Sequence, residues 1–303
     1  GRKKASGQRM RKFRLLWARQ CGEKKTRELG YDSFPIDPFK IAESEGIHVE
    51  KKPAGPPGVS GGIIFHDEQI AIFYSSSIKS HGFQRFTVAH ELGHYFLEGH
   101  PEEILKTGII HASRAGFTEG SNSIELEADH FAAGLLMPSK LVRELLAGKG
   151  VGLEGIETLA TQSKCSLTAS AVRTAECSPY PVAIIVSRGD EVCYAFLSDN
   201  FKQLGRIRML RKGDPLPGTA TRDFNADADN VKQARRMCAP TNLQHWFDGP
   251  AHIALDEEVI GLGNYGFTLT VLSNEELPNE PHEEEDEESA LLESYRPKFA
   301  YGR

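Results

Sequence analysis

Three histidines and two glutamates lie within the fifteen residues FTVAHELGHYFLEGH, positions 86 to 100. A helix turns by ~100° per residue, so His90 and His94 lie ~40° apart on one face and one turn apart along the axis. Their imidazoles can therefore converge on one metal ion. Glu91 lies ~60° around the helix from His94 and can reach a water molecule on that ion without binding the ion. The spacing predicts an HExxH zinc site with Glu91 as the general base.

His100 is the first candidate for a third ligand, because it follows His90 by ten residues, as in HExxHxxGxxH proteases. That pattern has glycine at the eighth position, where this chain has Leu97; its glycine comes later, at Gly99. If the helix continued, His100 would lie ~9 Å along the axis from His94. A zinc ligand must lie at ~2.0 to 2.1 Å from the ion. We therefore expect His100 not to bind the metal.

A second buried helix is predicted for SNSIELEADHFAAGLLMP, residues 121 to 138. Glu125 and Asp129 lie at i and i+4 on one side of it. Glu125 can bind the ion, while Asp129 accepts the free ring N–H of a ligand histidine. Two acids on a buried face without a cation would cost several kcal/mol; a solvated helical edge is the alternative reading. Glu127 points elsewhere but remains the rival ligand, because a half-turn rotation would exchange the two glutamates.

The elements that must position these residues are a hairpin and a helix. GIIF and QIAIFY, separated by HDE, predict a hairpin immediately before the HExxH helix. An edge strand of this hairpin could hold an extended peptide by backbone hydrogen bonds. The residue that would stabilise the oxyanion is left open among four candidates: His81, Tyr95, His111 and Arg114.

Charge is distributed unevenly along the chain. Residues 1–27 carry eleven Lys or Arg and one Glu, whereas 275–288 carry nine acids and no base. We expect a basic flexible tail at 1–30 and an acidic flexible tail at 275–303, since solvated charge runs are usually mobile. A nucleic-acid contact is the alternative for the basic end.

Composition indicates a globular protein of two or three domains, given 303 residues and 39% hydrophobic content. No run approaches the ~20 apolar residues of a membrane span, and no secretory signal pattern is visible, so we expect a cytoplasmic protein without membrane contact. The five cysteines form no CxxC pair, which argues against disulfides and against a thiolate zinc site.

The HELGH and ELEADHFAAGLLMP segments together resemble the ImmA/IrrE family of zinc metallopeptidases. The resemblance implies a multidomain α+β chain: a thermolysin-like (gluzincin) peptidase domain at 31–150, a helix-turn-helix-like domain at 151–179 and a GAF-like α/β sensor domain at 180–274. It implies a metal held by His90, His94 and a glutamate of the ELEAD segment. It also implies a substrate, a DNA-binding transcriptional repressor whose cleavage releases DNA-damage and radiation-response genes.

The segments after the peptidase motif are consistent with that layout. Residues 155–177 have the pattern of two helices and a tight turn. Because 151–180 carry two basic residues against three acids, a packing or partner-docking role is favoured over DNA binding by this unit. PVAIIVS, EVCYAFLS and GFTLTVLS predict strands of a mixed α/β domain. Whether that domain binds a small molecule or fills its pocket with side chains is left open.

The sequence therefore predicts a site-specific endopeptidase that uses Zn²⁺. Mn²⁺ or another divalent ion is the alternative, because imidazole and carboxylate ligands suit several metals. The second hypothesis for function is a transcription regulator that binds DNA directly and uses the zinc fold as a sensor or scaffold.

Overall fold

The computed structural model describes residues 2–113, 123–149, 152–249 and 253–274. These residues form a mixed α+β structure with two sheets, and the chain divides into two compact units. The described residues of the first unit lie within 2–142 and 160–169, and those of the second lie within 143–159 and 170–274. The acidic tail expected at 275–303 lies outside the described residues.

The first unit contains the predicted metal-site residues. Its elements are α1 (Arg2–Glu28), α2 (Pro38–Ser44), β1 (His48–Lys52), β2 (Gly61–His66), β3 (Gln69–Ser75), α3 (His81–Phe96), α4 (His100–Leu105), β4 (Ile110–Ser113) and α5 (Ser123–Leu136). The strands form a sheet in the order β1-β3-β2-β4, in which β1 is parallel to β3 and the other pairs are antiparallel. Buried side chains of the sheet and of α3 and α5, including Ile63, Ile72, Leu92 and Phe131, form one core.

The hairpin predicted from GIIF and QIAIFY is confirmed. β2 pairs with β3 from Gly61 opposite Tyr74 to His66 opposite Gln69, and Asp67 makes the turn with a φ of 52°. The expectation that this hairpin supplies an edge strand is wrong, because β1 and β4 flank it on its two sides. In the described part of the chain, the sheet edges are β1 and β4.

The expectation of a flexible basic tail at 1–30 is also wrong. The segment forms α1, and Leu15, Ala18 and Thr26 are buried. Thr26 donates a hydrogen bond through Oγ1 to the backbone oxygen of Leu135 in α5, at 3.0 Å. Leu15, Ala18 and Thr26 recur at roughly helical spacing, so they form an apolar stripe on one face of α1. The high proportion of Lys and Arg conceals that stripe in a count of charges.

Three helices cross the division between the units: α6 (Ser139–Leu146), α7 (Leu153–Ser163) and α8 (Leu167–Cys177). The two helices predicted within 155–177 are confirmed as α7 and α8, and the turn between them includes Lys164 with a φ of 56°. Among the helices that the structure describes, none has both the length and the apolar character that crossing a bilayer demands.

The second unit is built on an antiparallel sheet. Its further elements are β5 (Val182–Arg188), β6 (Glu191–Leu197), α9 (Asp199–Lys202), α10 (Ala220–Ala226), α11 (Ala228–Lys232), β7 (Arg236–Asn242), α12 (Leu243–Phe247), β8 (Ala254–Gly261), a 3-10 turn (Gly263–Tyr265) and β9 (Thr268–Ser273). The strand order is β6-β5-β9-β8-β7. β5, β6 and β9 confirm the three predicted strands. β7 and β8 were not predicted, because β7 contains Pro240 and β8 contains the acidic run Asp256 to Glu258.

Candidate metal centre

Helix α3 carries the HExxH residues into the interior of the first unit. The side chain of Ser80 caps the helix by accepting a hydrogen bond from the backbone N–H of Phe83. All residues from Phe86 to His94 are buried, so this stretch of helix has no solvated face. His90, Glu91 and His94 are each fully buried. A buried position keeps water away from their polar atoms and strengthens the interactions between them.

The donor atoms of His90, His94 and Glu125 converge, lying within 4.8 Å of one another. The Nε2 atoms of His90 and His94 are 3.1 Å apart. Glu125 of helix α5 places Oε2 at 3.4 Å from Nε2 of His90 and Oε1 at 3.2 Å from Nε2 of His94. The structure thus brings together the two histidines and the glutamate that the sequence analysis favoured.

These distances fit a tetrahedral divalent ion. Ligands bound to one ion at ~2.0 to 2.1 Å lie ~3.3 Å apart when the geometry is tetrahedral. The separation of 3.1 Å between the two Nε2 atoms lies close to that value, and so does the 3.2 Å from Nε2 of His94 to Oε1 of Glu125. The 3.4 Å from Nε2 of His90 reaches the other oxygen of the same carboxylate, Oε2. Two imidazole nitrogens and one carboxylate are also a donor set that zinc accepts while keeping a fourth position open.

Asp129 lies behind His90, one helical turn after Glu125. Its Oδ1 is 2.7 Å from Nδ1 of His90, on the side of the ring away from the converging donors. Burial alone would lower the pKa of His90, but the charge of Asp129 and this hydrogen bond raise it well above its ordinary value. The structure therefore places Asp129 where the sequence analysis expected it, against a ring nitrogen of a candidate ligand.

His100 is not among the three converging residues, but it lies close to His94, because the helix does not continue to His100 as the distance of ~9 Å required. Helix α3 ends at Phe96, and Gly99 adopts a φ of 87° at the start of α4. The chain therefore turns back, and Nδ1 of His100 lies 3.1 Å from Nδ1 of His94. His100 is fully buried. The signal for this turn was Gly99, since glycine readily adopts positive φ.

Glu127, the rival ligand, faces away from the converging donors. Its Oε2 lies 3.1 Å from Nε2 of His100, and Arg14 of α1 donates to both of its oxygens, from Nη2 at 2.7 Å and from Nε at 3.2 Å. Burial opposes ionisation of Glu127, but the hydrogen bonds from His100 and Arg14 outweigh it and lower the pKa of Glu127. The sequence analysis missed Arg14, because the residue lies in the segment that was expected to be a flexible tail.

Glu91 is a buried acid whose carboxylate makes no hydrogen bond of full geometry among the described residues. The nearby His90 and the hydroxyl of Ser113 act to lower its pKa, but burial has the larger effect. Burial raises the pKa of Glu91 from 4.5 to about 7. A carboxyl group with a pKa near neutrality can both accept and release a proton at physiological pH, which is the property that a general base and acid needs.

His111 is the oxyanion candidate that the structure brings to the site. It lies on β4, with Nε2 at 2.7 Å from Oε1 of Glu125. The hydroxyl of Tyr95 instead donates to Glu45, at 3.3 Å. His81 is the first residue of α3, more than two turns before His90. Arg114 lies outside the described residues.

The two remaining ligand candidates are held in the forms that bind a metal. Burial lowers the pKa of His94 to about 3, so its imidazole stays neutral. Burial would raise the pKa of Glu125, but the hydrogen bond from His111 and the close contacts with His90 and His94 hold it well below its ordinary range. A neutral imidazole and an ionised carboxylate are the states in which these side chains donate electron pairs to a cation.

Known proteins resemble this chain in one domain and in the fold. Residues 42–174 match the model of the peptidase M78 family described as the IrrE N-terminal-like domain. A solved structure of a Mycobacterium tuberculosis transcriptional regulator has a TM-score of 0.54 and 15% identity, over 85% of this chain and 76% of that chain. At that identity the likeness shows the fold alone. None of the proteins with curated descriptions matches this chain.

Proposed function

We propose that this chain is a metal-dependent, site-specific endopeptidase of the IrrE/ImmA family, because its residues 42–174 match the IrrE N-terminal-like domain. The observation that carries the proposal is the convergence of His90, His94 and Glu125 beside the buried carboxylate of Glu91. The proposed substrate is a DNA-binding transcriptional repressor, whose cleavage would derepress DNA-damage and radiation-response genes. The family resemblance is the support for that substrate. Because the repressor acts on DNA, we propose that the reaction takes place in the cytoplasm.

His90, His94 and Glu125 would hold the ion, and Zn²⁺ is the proposed metal, with Mn²⁺ as the alternative. Such an ion, once bound, lowers the pKa of a coordinated water to ~7 and polarises the carbonyl of the scissile bond. Asp129 keeps Nδ1 of His90 engaged, so that Nε2 faces the other donors. The burial of all three ligands excludes bulk water from the reacting groups.

Glu91 acts as the general base and then as the general acid. It takes the proton of the attacking water and delivers it to the departing amine, which breaks the peptide bond. Its pKa of about 7 supports both steps near neutral pH. His111 is the proposed donor to the negative charge that develops on the carbonyl oxygen, because its Nε2 lies beside Glu125.

Strand β4 is the proposed docking strand for the substrate. It is an edge strand in the described part of the sheet and it carries His111. An extended peptide added along an open edge gains backbone hydrogen bonds without regard to its side chains. This arrangement would place the scissile bond near the converging donors.

The finer architecture is also a proposal. We assign the first unit to a thermolysin-like (gluzincin) fold, α7 and α8 to a helix-turn-helix-like domain and the antiparallel sheet of the second unit to a GAF-like sensor domain. The bounds proposed from the sequence are 31–150, 151–179 and 180–274, whereas α1 and residues 160–169 group with the first unit. A GAF-like domain would offer a site for a small-molecule ligand, although a fold alone does not supply a function.

The direct test is incubation of the purified protein with the repressor encoded in the same genome, with and without added Zn²⁺ or Mn²⁺. We expect discrete fragments only when metal is present. Glu91→Gln should retain metal and lose cleavage, because the amide cannot accept the proton. Glu102→Gln, at a solvated position on α4, is the matched control and should cleave normally. Cleavage by Glu91→Gln at the wild-type rate would contradict the proposal.

Direct DNA binding remains the second candidate function. The paired helices α7 and α8 and the basic composition of α1 favour it, and the structural neighbour from Mycobacterium tuberculosis is called a transcriptional regulator. The two functions separate in Glu91→Gln. A regulator that acts by binding DNA keeps its biological activity in that variant, whereas a peptidase loses it.

A further inference from the structure

We propose that Arg14, Glu127 and His100 are positioning residues that fix the orientation and the tautomer of His94, so that helix α1 is a structural part of the metal centre. The proposal rests on the proposed role of His94 as a metal ligand. It assigns a function to a helix whose composition alone suggests a solvated tail.

The four side chains form a continuous chain of polar contacts. Nδ1 of His94 lies 3.1 Å from Nδ1 of His100, and Nε2 of His100 lies 3.1 Å from Oε2 of Glu127. Arg14 then donates to both carboxylate oxygens of Glu127. The opposite nitrogen of His94, Nε2, faces His90 and Glu125. One end of the chain is therefore the candidate ligand, and the other end is a guanidinium on α1.

The order of donors and acceptors in this chain follows from its charged end. Arginine has N–H donors only, and an ionised carboxylate only accepts. Oε2 of Glu127 must therefore accept a hydrogen bond from the N–H at Nε2 of His100. A neutral imidazole has one N–H, so Nδ1 of His100 has no proton and accepts a hydrogen bond from the N–H at Nδ1 of His94. Nε2 of His94 is then left with a free lone pair directed at His90 and Glu125.

The reverse order of protons would disable the ligand. If Nδ1 of His100 carried the proton, Nδ1 of His94 would have to accept a hydrogen bond from it. The proton of His94 would then lie on Nε2. That proton would occupy the electron pair that a metal needs. The ion pair of Glu127 with Arg14 thus selects the tautomer of His94 through the intervening side chain of His100. Asp129 does the same for His90 by direct contact.

The position of Arg14 is itself fixed by close packing of α1 against α5. A Cβ added to Gly22 would lie 2.2 Å from the backbone oxygen of Phe131, and a Cβ added to Gly134 would lie 2.2 Å from that of Arg19. The two helix backbones therefore approach as closely as glycine allows. The guanidinium of Arg14 also stacks over the ring of Trp17, at 4.5 Å from its centroid.

Burial explains why this series of polar contacts needs the positive charge of Arg14. The side chain of Glu127 is 4% exposed, whereas that of Arg14 is 41% exposed. A buried carboxylate that loses its partner is strongly destabilised, so the charge of Arg14 keeps Glu127 ionised and able to accept. Because Arg14 lies partly in solvent, it can be replaced without opening a cavity in the core.

The test is the affinity of the full-length protein for Zn²⁺, measured by competition with a chromogenic chelator. We expect Glu127→Gln, His100→Phe and Arg14→Met to bind Zn²⁺ ~10- to 100-fold more weakly than the wild type, the range found when partners of metal ligands are removed. Arg14→Lys should recover part of the affinity, because it restores the charge. Lys24→Met removes one positive charge from an exposed position of the same helix and should leave the affinity unchanged.

Circular dichroism of each metal-free variant serves as the check on folding. Should Glu127→Gln or His100→Phe fail to fold, the two Arg14 variants decide the question. Wild-type Zn²⁺ affinity in a folded Arg14→Met would overturn the proposal. So would ¹⁵N spectra of the zinc-loaded protein in which the ring proton of His100 sits on Nδ1 rather than on Nε2.

These measurements remain separate from the test of the proposed function. Glu91→Gln should bind Zn²⁺ with wild-type affinity, since Glu91 does not belong to the series of polar contacts from His94 to Arg14. If the wild type bound Zn²⁺ but cut no repressor, the peptidase assignment would fail while the role of Arg14, Glu127 and His100 stood. If replacing Arg14 left the Zn²⁺ affinity unchanged while the wild type cut the repressor, the role of Arg14, Glu127 and His100 would fail and the peptidase assignment would stand.

Discussion

Asp129 lies against the back of His90, with Oδ1 2.7 Å from Nδ1. The contact leaves Nε2 of His90 facing Nε2 of His94 and the carboxylate of Glu125. A carboxylate in this place orients the ring and holds the proton on the nitrogen that does not bind the metal.

Replacement of Asp129 by Asn should weaken metal binding. An amide can present its NH₂ group to Nδ1 of His90, which would move the ring proton to Nε2. We expect Zn²⁺ affinity to fall ~10- to 100-fold, measured by chelator competition. Asp67→Asn at the hairpin turn, an exposed position, is the matched control. Equal affinities of the two variants would show that Asp129 does not orient His90.

Replacement of His111 by Phe should slow catalysis more than it weakens metal binding. If His111 donates to the developing oxyanion, its removal should lower kcat roughly 100-fold at saturating metal, and Zn²⁺ affinity should also fall, because His111 hydrogen-bonds Glu125. Steady-state cleavage of the repressor and chelator competition measure the two quantities. Tyr95→Phe is the comparison, because the hydroxyl of Tyr95 donates to Glu45 instead. A drop in kcat for Tyr95→Phe alone would reverse the assignment.

Replacement of Gly134 by Ala should destabilise the first unit. The new Cβ would meet the backbone oxygen of Arg19 at 2.2 Å, so α1 and α5 would have to move apart. Overpacking of this kind costs ~1 to 3 kcal/mol of unfolding free energy, measured by urea denaturation. Gly55→Ala is the control, since nothing lies within 4 Å of its added Cβ. The same stability in both variants would mean that the helices are not in close contact.

Glu258 should make the stability of the second unit depend on pH. Burial, and then the nearby charges of Asp256, Glu157 and Glu154, raise its pKa above 4.5 although its carboxylate accepts a hydrogen bond from the backbone N–H of Leu153. The folded state therefore holds this proton more tightly than the unfolded state, and stability falls as pH rises from 4.5 through the raised pKa.

Glu258→Gln removes that titration and can still accept the Leu153 hydrogen bond. The variant should therefore gain stability relative to the wild type as pH rises from mildly acidic to neutral, as measured by urea denaturation at both pH values. Glu191→Gln, an exposed position, should show no such trend. A pH-independent difference between Glu258→Gln and the wild type would count against the raised pKa.

Local patterns predicted those elements whose side chains repeat with a clear period. The hairpin, helices α3 and α5, the pair α7 and α8 and three strands of the second sheet were all predicted in this way. β7 and β8 were not. Pro240 argues against a strand at β7, and the three consecutive acids from Asp256 to Glu258 hide the alternation of polar and apolar residues expected of a half-buried strand at β8. β8 pairs with β7 on one side and with β9 on the other, and these pairings are not visible in the local pattern of either strand.

The spacing of HELGH by itself determined that His90 and His94 share a helical face, since a helix brings residues i and i+4 together whatever surrounds it. The i and i+4 spacing likewise placed Glu125 and Asp129 together. Only the tertiary structure decided that Glu125 rather than Glu127 faces the histidines, because that depends on the rotation of α5 against α3. The tertiary structure also decided that the chain turns at Gly99 and that α1 packs onto α5. These two features bring His100 and Arg14 to Glu127. Such contacts join residues up to 113 positions apart, and no local period encodes them.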